Sequence, residues 1–168
     1  AKGIDAAALI TIPIVDHVAA DKKEDGDVRR TPKHLVTRFR INRPEKPPSL
    51  RSIDPTDGFV FQDELVAWIR RSHPKARILF SLDNEPDLWA QTHREVHPER
   101  VGYVELCTRA ITFARAIKRA WPSAPVTGPV SYGWTGFTTL QHAPDRWGRG
   151  DFLDYWLSQM RAAEQAEG

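Results

Sequence analysis

The sequence predicts an α/β fold in which a parallel sheet is covered by helices. Three short apolar segments alternate with longer segments whose apolar residues recur at helical spacing. Polar and aromatic residues gather directly after each apolar segment, where the carboxyl ends of parallel strands present side chains. Three such units fit half of a doubly wound sheet or an arc of a (β/α)8 barrel. No glycine-rich phosphate loop follows any strand, which counts against a nucleotide-binding sheet.

The first half of the chain predicts a strand, a long loop and a helix. Residues 7–15 form a near-continuous apolar run, as expected of a strand covered on both faces. Residues 16–58 are rich in Asp, Lys, Arg and Pro, and predict a long irregular loop with a functional role or a surface insertion. A helix is predicted over residues 60–72, because Leu65 and Ile69 share a helical face and arginines end the segment.

The second half predicts two further strand and helix units. Pro98 is expected near the first helical position of the longer helix, and Pro122 is expected to end it. A loop rich in glycine and aromatic residues separates the last strand from the last helix. The predicted elements are a strand at 77–82, a helix at 98–120, a strand at 125–130, a loop at 131–137 and a helix at 150–163.

Composition narrows the class of protein. A chain of 168 residues with 40% hydrophobic residues and six tryptophans predicts one folded segment with a sizeable core. The formal net charge of +2 and the scattered basic residues give no support for nucleic acid binding. The longest apolar stretch is too short to cross a membrane. The single cysteine, Cys107, excludes an internal disulfide and falls in a helical stripe, which predicts a core residue.

The segment from Ser81 to Trp89 combines carboxyl, amide and indole side chains at the end of a predicted strand. A buried strand is cut off by an acid, an amide, a second acid and a proline. Asn84 can hold a sugar hydroxyl, Glu85 can protonate a glycosidic oxygen, and Trp89 can stack on a pyranose ring. The alternatives are a helix N-terminal acid for Glu85, a turn residue for Asn84 and a core residue for Trp89.

Other candidate residues flank this segment. Trp134 is a second candidate stacking surface, whereas Trp68, Trp121 and Trp156 lie in or beside helical stripes and are predicted in the core. His93 and His97 are four residues apart, but their segment matches neither zinc protease motif. Substrate contact or a role in loop structure is therefore predicted for His93.

A structural calcium site is the only metal site that the sequence predicts. Asp54 and Asp57 are its candidate ligands, and the alternative is a solvated turn. The spacing excludes an EF-hand, since Ile53 and Pro55 would occupy ligand positions that need side-chain oxygens.

Several motifs together resemble glycoside hydrolase family 44, a family of bacterial endo-β-1,4-glucanases and xyloglucanases. The similarity covers nearly the whole chain. Its main stretch is residues 81–89, which include Asp83-Asn84-Glu85-Pro86-Asp87-Leu88-Trp89. The other matching residues are 11–13, 18–22, 56–58 with 63–64, 92–93, 97–99 and 128–134.

This resemblance implies a partial (β/α)8 barrel in which residues 7–15, 77–82 and 126–130 are strands three to five. Residues 1–168 would be one incomplete segment of the catalytic domain, without the remaining strands and the β-sandwich of the family. The nucleophile, a second glutamate, is expected beyond Gly168, and Tyr132 is a candidate hydrogen-bond partner for it.

The resemblance also implies the reaction and its setting. Glu85 is expected to be the acid/base of a secreted, retaining, endo-acting hydrolase of β-1,4-glucan, xyloglucan or cellulose-type polysaccharide that requires no cofactor. Neither nucleic acid nor membrane is an expected partner. The isolated segment is expected to be inactive and to self-associate through exposed strand edges.

Two other functions fit the residues. One is a carbohydrate-binding or structural module without catalysis, in which Glu85 is dispensable. The other is a retaining glycosidase of a different family that shares only the Asn-Glu-Pro motif.

Overall fold

The computed structural model describes residues 6–23, 26–48 and 58–167. Two turns of 3-10 helix lie at Val28–Arg30 and Pro86–Leu88. The other elements are β1 (Ala7–Ile12), β2 (His17–Ala19), α1 (His34–Thr37), β3 (Phe39–Arg43), β4 (Phe59–Phe61), α2 (Gln62–Ser72), β5 (Arg77–Leu82), α3 (Trp89–Thr92), α4 (Tyr103–Ala120), β6 (Val126–Thr127), α5 (Trp134–Thr139) and α6 (Phe152–Glu167).

A three-stranded parallel sheet in the order β1-β5-β6 forms the centre of the fold. Strands β1 and β5 pair in register from Ala7 opposite Arg77 to Ile12 opposite Leu82. Strand β6 has only two residues, and they pair with β5 with Val126 opposite Phe80 and Thr127 opposite Ser81. The three strands therefore end at the same edge of the sheet. The α/β prediction with a parallel sheet is confirmed.

Helices α2, α4 and α6 form a layer in which α4 contacts both neighbours. Strand β5 turns Ile78, Phe80 and Leu82 into the core, where the α4 side chains Leu106 and Ile117 are also buried. Burial of each such side chain contributes roughly 1.5–3 kcal/mol. Cys107 and Trp156 are buried as predicted, and Trp121 packs edge-on against Phe80. The core prediction for Trp68 is wrong, because its side chain is 54% exposed on the outer face of α2.

The expectation that the first strand is covered on both faces is wrong for its first half. Within the described residues β1 pairs only with β5, which leaves its other edge open. Ala7 and Ala8 are exposed, and Leu9 is 62% exposed. Only the end of the strand, at Ile12, is fully buried.

The described part of residues 16–58 is more ordered than predicted. Strand β2 pairs antiparallel with β3, and β3 pairs parallel with β4. Asn42 ties this small sheet to the end of β1, because its Nδ2 donates to the carbonyl oxygens of Pro13 at 2.7 Å and Val15 at 2.8 Å. Gln62 then donates from Nε2 to Asn42 Oδ1 at 2.8 Å. Such partners are distant in sequence, so local composition did not reveal them.

Helix boundaries differ from the prediction where a remote residue decides them. Helix α4 begins at Tyr103 rather than at Pro98. Its first N–H groups are capped by Asp145, whose carboxylate accepts from Tyr103 N at 2.7 Å and Val104 N at 3.1 Å. The predicted loop at 131–137 contains the start of α5, and the last helix begins and ends later than predicted.

Candidate active site

The loop after β5 has an unusual backbone. Asp83 and Glu85 are non-glycine residues with positive φ, at 65° and 51°. A residue held in this left-handed region costs of order 1–3 kcal/mol, and such residues concentrate at functional sites. The fold therefore stabilises a specific placement of the Glu85 side chain at the mouth of the sheet.

The backbone of Glu85 is fixed on both sides. Its N–H donates to the Val130 carbonyl at 2.7 Å, which joins the loop after β5 to the segment after β6. Its carbonyl accepts from Leu88 N at 2.9 Å and opens the 3-10 turn at Pro86. The residue is half-buried, and among the described residues no side-chain partner engages its carboxylate. That carboxylate is available to a substrate.

Two buried aspartates stand two residues to either side of Glu85. Asp83 is 7% exposed, and its Oδ2 accepts from Ile14 N at 2.8 Å while Oδ1 accepts from Asn84 N at 2.8 Å. Asp87 is 4% exposed and accepts from Tyr132 N at 3.1 Å and from Gln141 Nε2 at 3.3 Å. Asp83 thus ties the loop to the end of β1, and Asp87 ties it to the segment after β6.

The exposed aromatic candidates follow β6. Tyr132 is 64% exposed and Trp134, the first residue of α5, is 81% exposed. Helix α5 packs directly on Asp87, because a Cβ at Gly136 would collide with the Asp87 carboxylate. Asn84 is also exposed. The structure therefore joins the segment that carries these two rings to the loop that carries Asn84 and Glu85.

The sequence suggested Trp89 as a stacking surface for a sugar, with a core residue as the alternative. The structure shows that it is a core residue. Its side chain is 1% exposed, and its Nε1 lies 3.4 Å from Asp83 Oδ1. The His97 ring covers it at 5.0 Å between centroids, and the Arg109 guanidinium lies 5.9 Å from its ring. Trp89 therefore packs beneath the loop after β5, and neither face of its ring is open to a sugar.

The two histidines have different environments and do not share a helix face. His93 is exposed, and its Nδ1 lies 2.8 Å from Thr92 Oγ1. His97 is buried, with Nδ1 2.7 Å from the Glu99 carbonyl and Nε2 3.0 Å from Glu105 Oε1. Both ring nitrogens of His97 are therefore engaged by protein atoms.

Metal ligands form no cluster in the part of the chain that the structure describes. No group of three or more His, Cys, Asp or Glu side chains there is arranged to hold an ion. The candidate calcium ligands Asp54 and Asp57 lie outside the described residues. None of the helices within the described ranges is long and apolar enough to cross a membrane.

A charged cluster joins α4 to the loop after β1. Arg109 forms a bidentate ion pair with Asp16, with Nη–Oδ distances of 2.7 and 2.8 Å, and donates from Nε to Glu105 at 2.9 Å. The Arg109 hydrogen bond lowers the pKa of Asp16. The hydrogen bond between Glu105 and His97 raises the pKa of His97 and lowers that of Glu105.

Sequence reasoning missed the supporting role of Asp83, Asp87 and Arg109. A signal for the aspartates was present, since both flank Glu85 at a spacing of two residues in the same motif. Nothing in the sequence pointed to Arg109, because its partner Asp16 lies 93 residues away along the chain.

Comparison with known proteins decides the family. The model of glycoside hydrolase family 44 matches residues 1–168. The chain belongs to glycoside hydrolase family 44.

Relatives of the family 44 chain agree in sequence and in fold. Endoglucanase A of Paenibacillus lautus is 32% identical over 97% of the chain. A family 44 xyloglucanase from Paenibacillus polymyxa, solved with xyloglucan, superposes with a TM-score of 0.84 at 34% identity over 96% of the chain. A family 44 endoglucanase from Clostridium thermocellum gives a TM-score of 0.83 at 33% identity over 96% of the chain. The chain spans 24% of the first protein and 33% of each of the two solved chains.

Proposed function

We propose that this chain is the central segment of a retaining, endo-acting glycoside hydrolase, with Glu85 as its general acid/base. The observation that carries the proposal is the left-handed Glu85 at the end of a buried strand, held between two buried aspartates. Its carboxylate has no side-chain partner among the described residues and can therefore serve a substrate.

Each candidate site residue has a role in the proposed mechanism. Glu85 donates its proton to the glycosidic oxygen while a second carboxylate, from a glutamate outside this chain, attacks the anomeric carbon. The Glu85 carboxylate then takes a proton from the water that hydrolyses the covalent intermediate. Asn84 holds a sugar hydroxyl, Trp134 stacks on a sugar ring and His93 contacts substrate. Tyr132 contacts substrate or hydrogen-bonds the nucleophile.

The chain's place in a larger domain follows from its sheet. We propose that β1, β5 and β6 are strands three to five of a (β/α)8 barrel, which takes roughly 250 residues when complete. The parallel order β1-β5-β6 and the helix layer on one side support this assignment. Residues 1–168 would then be one segment of the catalytic domain.

The proposed substrates are β-1,4-linked glucans, including xyloglucan and cellulose-type polysaccharide. Relatives are named endoglucanase and xyloglucanase, and one from Caldicellulosiruptor saccharolyticus is named β-mannanase/endoglucanase A. We propose that the protein acts outside the cell, where such polymers are found, and that the chemistry requires no cofactor.

The test is the change Glu85→Gln in the complete protein that contains this chain. We expect the release of reducing sugar from β-glucan and xyloglucan to fall by about 10²–10⁴-fold. The matched control is Glu164→Gln, on the exposed face of α6, which should retain activity. Unchanged activity after Glu85→Gln or Glu85→Ala would instead favour a binding or structural role for this segment. A panel that adds mannan and xylan distinguishes the preferred polysaccharide.

A further inference from the structure

We propose that Asp83 is a positioning residue that fixes Glu85 for proton transfer. The inference rests on the proposed role of Glu85 as acid/base. Asp83 itself does not touch the reacting atoms, because its side chain is buried behind the loop.

The Asp83 carboxylate is satisfied entirely by N–H donors from three places in the chain. Oδ2 accepts from Ile14 N, just after β1, and Oδ1 accepts from Asn84 N, both at 2.8 Å. The indole Nε1 of Trp89 approaches Oδ1 at 3.4 Å. No cation pairs with Asp83 among the described residues. A buried carboxylate in this setting forms strong hydrogen bonds, and its loss leaves three buried N–H groups short of an acceptor.

The hydrogen bonds to Asp83 fix both ends of the loop that contains Glu85. Asp83 begins the loop and Trp89 ends it, so the Nε1 contact spans the turn that contains Glu85. The Ser81 hydroxyl also donates to the Asp83 carbonyl at 3.1 Å, and Asp83 N donates to the Ile12 carbonyl at 2.9 Å. The left-handed backbone of Asp83 and Glu85 persists because these contacts hold it.

Loss of these hydrogen bonds would let the loop shift, and the Glu85 carboxylate would move with it. Misplacement of a catalytic group by about 1 Å costs on the order of 10²-fold in rate. Such a shift harms only steps that need the proton. For a substrate whose leaving group departs without protonation, formation of the covalent intermediate, and therefore kcat/KM, should be almost normal. This dependence on the leaving group separates positioning from a general structural defect.

The experiment compares two β-cellotriosides in the complete protein, one with a phenyl and one with a 2,4-dinitrophenyl leaving group. The change Asp83→Asn keeps the side-chain shape but replaces one acceptor oxygen with a donor. We expect kcat/KM for the phenyl substrate to fall by about 10–100-fold. We expect kcat/KM for the dinitrophenyl substrate to change by less than about threefold, since its departure needs little protonation.

Two further variants keep the proposal falsifiable. Asp145→Asn is the matched control, because the Asp145 carboxylate also accepts two backbone N–H bonds but caps α4 and does not hold the loop after β5. It should change both substrates by the same factor. Trp89→Phe removes the indole donor and part of the buried ring, and should show a weaker form of the Asp83→Asn pattern. Its dependence on the leaving group tests the proposal if Asp83→Asn does not fold.

The outcomes separate this inference from the proposed function. Equal loss on both substrates in Asp83→Asn, or no difference between substrates in Trp89→Phe when Asp83→Asn cannot be purified, overturns the positioning role. Glu85→Gln serves as the reference. If it too shows no dependence on the leaving group, the acid/base assignment itself fails.

Discussion

The three acids of the loop after β5 differ in what surrounds their carboxylates. Asp83 and Asp87 are buried and accept N–H hydrogen bonds, whereas the half-buried Glu85 has no side-chain partner within the described ranges. The two aspartates therefore hold the backbone, which agrees with the proposed acid/base role of the glutamate. The sequence predicted the glutamate and its neighbour Asn84, because amide, acid and proline after a strand form a recognisable pattern. The sequence did not predict that the two aspartates are buried and hold the loop, because this depends on their hydrogen bonds from Ile14 N and Tyr132 N.

Trp89 shows the limit of motif reasoning at the level of one side chain. An indole four residues after an acid can face a cleft or the core, and spacing alone does not distinguish the two. The structure places it in the core because His97 and Arg109 cover its ring. Both partners lie farther along the chain, in segments whose approach depends on the tertiary fold.

Gly136 provides a residue-scale prediction about packing. In a helix, Gly→Ala normally stabilises by about 1 kcal/mol. Here an added Cβ would collide with the Asp87 carboxylate and would lie 2.7 Å from Ser131 Cβ. We expect Gly136→Ala to destabilise the complete protein by about 1–3 kcal/mol, as overpacking does, measured by urea unfolding.

The control for this prediction is Gly133→Ala, at the N-cap of the same helix. A Cβ there meets no atom within 4 Å. Its cost should stay below about 1 kcal/mol, which reflects only the weaker capping by alanine. A stabilised Gly136→Ala protein would show that Asp87 can move away from α5.

At the scale of elements, the order of strands and helices was predictable and several boundaries were not. The β5 prediction is confirmed at both ends, because its apolar run is bounded by charged and turn residues. Helix α4 begins five residues later than predicted, since Asp145 from a distant turn caps it. The small sheet β2-β3-β4 was missed because its strands are short and depend on Asn42. Local sequence carries no information on such partners.

The cluster of Asp16, His97, Glu105 and Arg109 predicts how stability depends on pH. The pKa of His97 is raised by Glu105, so its contribution is present below its unfolded value and is lost as pH rises through the folded value. The pKa values of Asp16 and Glu105 are lowered by Arg109 and His97, so their contributions are lost as pH falls through the folded values. We expect the cluster to stabilise the fold most between about pH 4.5 and 6.5.

Thermal unfolding of the complete protein across pH 3–9 measures this dependence. The change His97→Gln should flatten the part of the profile above about pH 6.5. It should also weaken the Glu105 contribution on the acid side, whereas the Asp16 contribution, which depends on Arg109, should remain. His73→Gln is the control, because His73 is exposed at the end of α2. An identical alkaline slope in His97→Gln and the unchanged protein would contradict the proposed contribution of the cluster.

At the scale of the whole molecule, the sheet is open. Within the described residues β1 and β6 each pair with β5 alone, and Leu9 is 62% exposed on β1. Open strand edges and exposed apolar residues favour association with other chains. The sequence predicted the repeating unit of strand and helix, but units of this kind do not reveal how many strands the sheet has.

The isolated 168-residue chain tests this view of an incomplete domain. We expect negligible release of reducing sugar from xyloglucan, because proton donation without the attacking carboxylate leaves the glycosyl cation unsupported. We also expect concentration-dependent self-association by light scattering, which Leu9→Lys should weaken by placing a charge beside the open edge. Hydrolysis that is abolished by Glu85→Gln in the isolated chain would show that the nucleophile lies within residues 1–168.

Chemical rescue of Glu85→Ala in the complete protein tests the acid/base role most directly. The variant is given 2,4-dinitrophenyl β-cellotrioside together with sodium azide, a nucleophile that needs no general base. If Glu85 is the acid/base, we expect azide to accelerate turnover. The expected product is the β-cellotriosyl azide, formed as the azide nitrogen displaces the enzyme carboxylate from the anomeric carbon. Turnover that azide leaves unchanged, with only cellotriose formed, would contradict the assignment of Glu85.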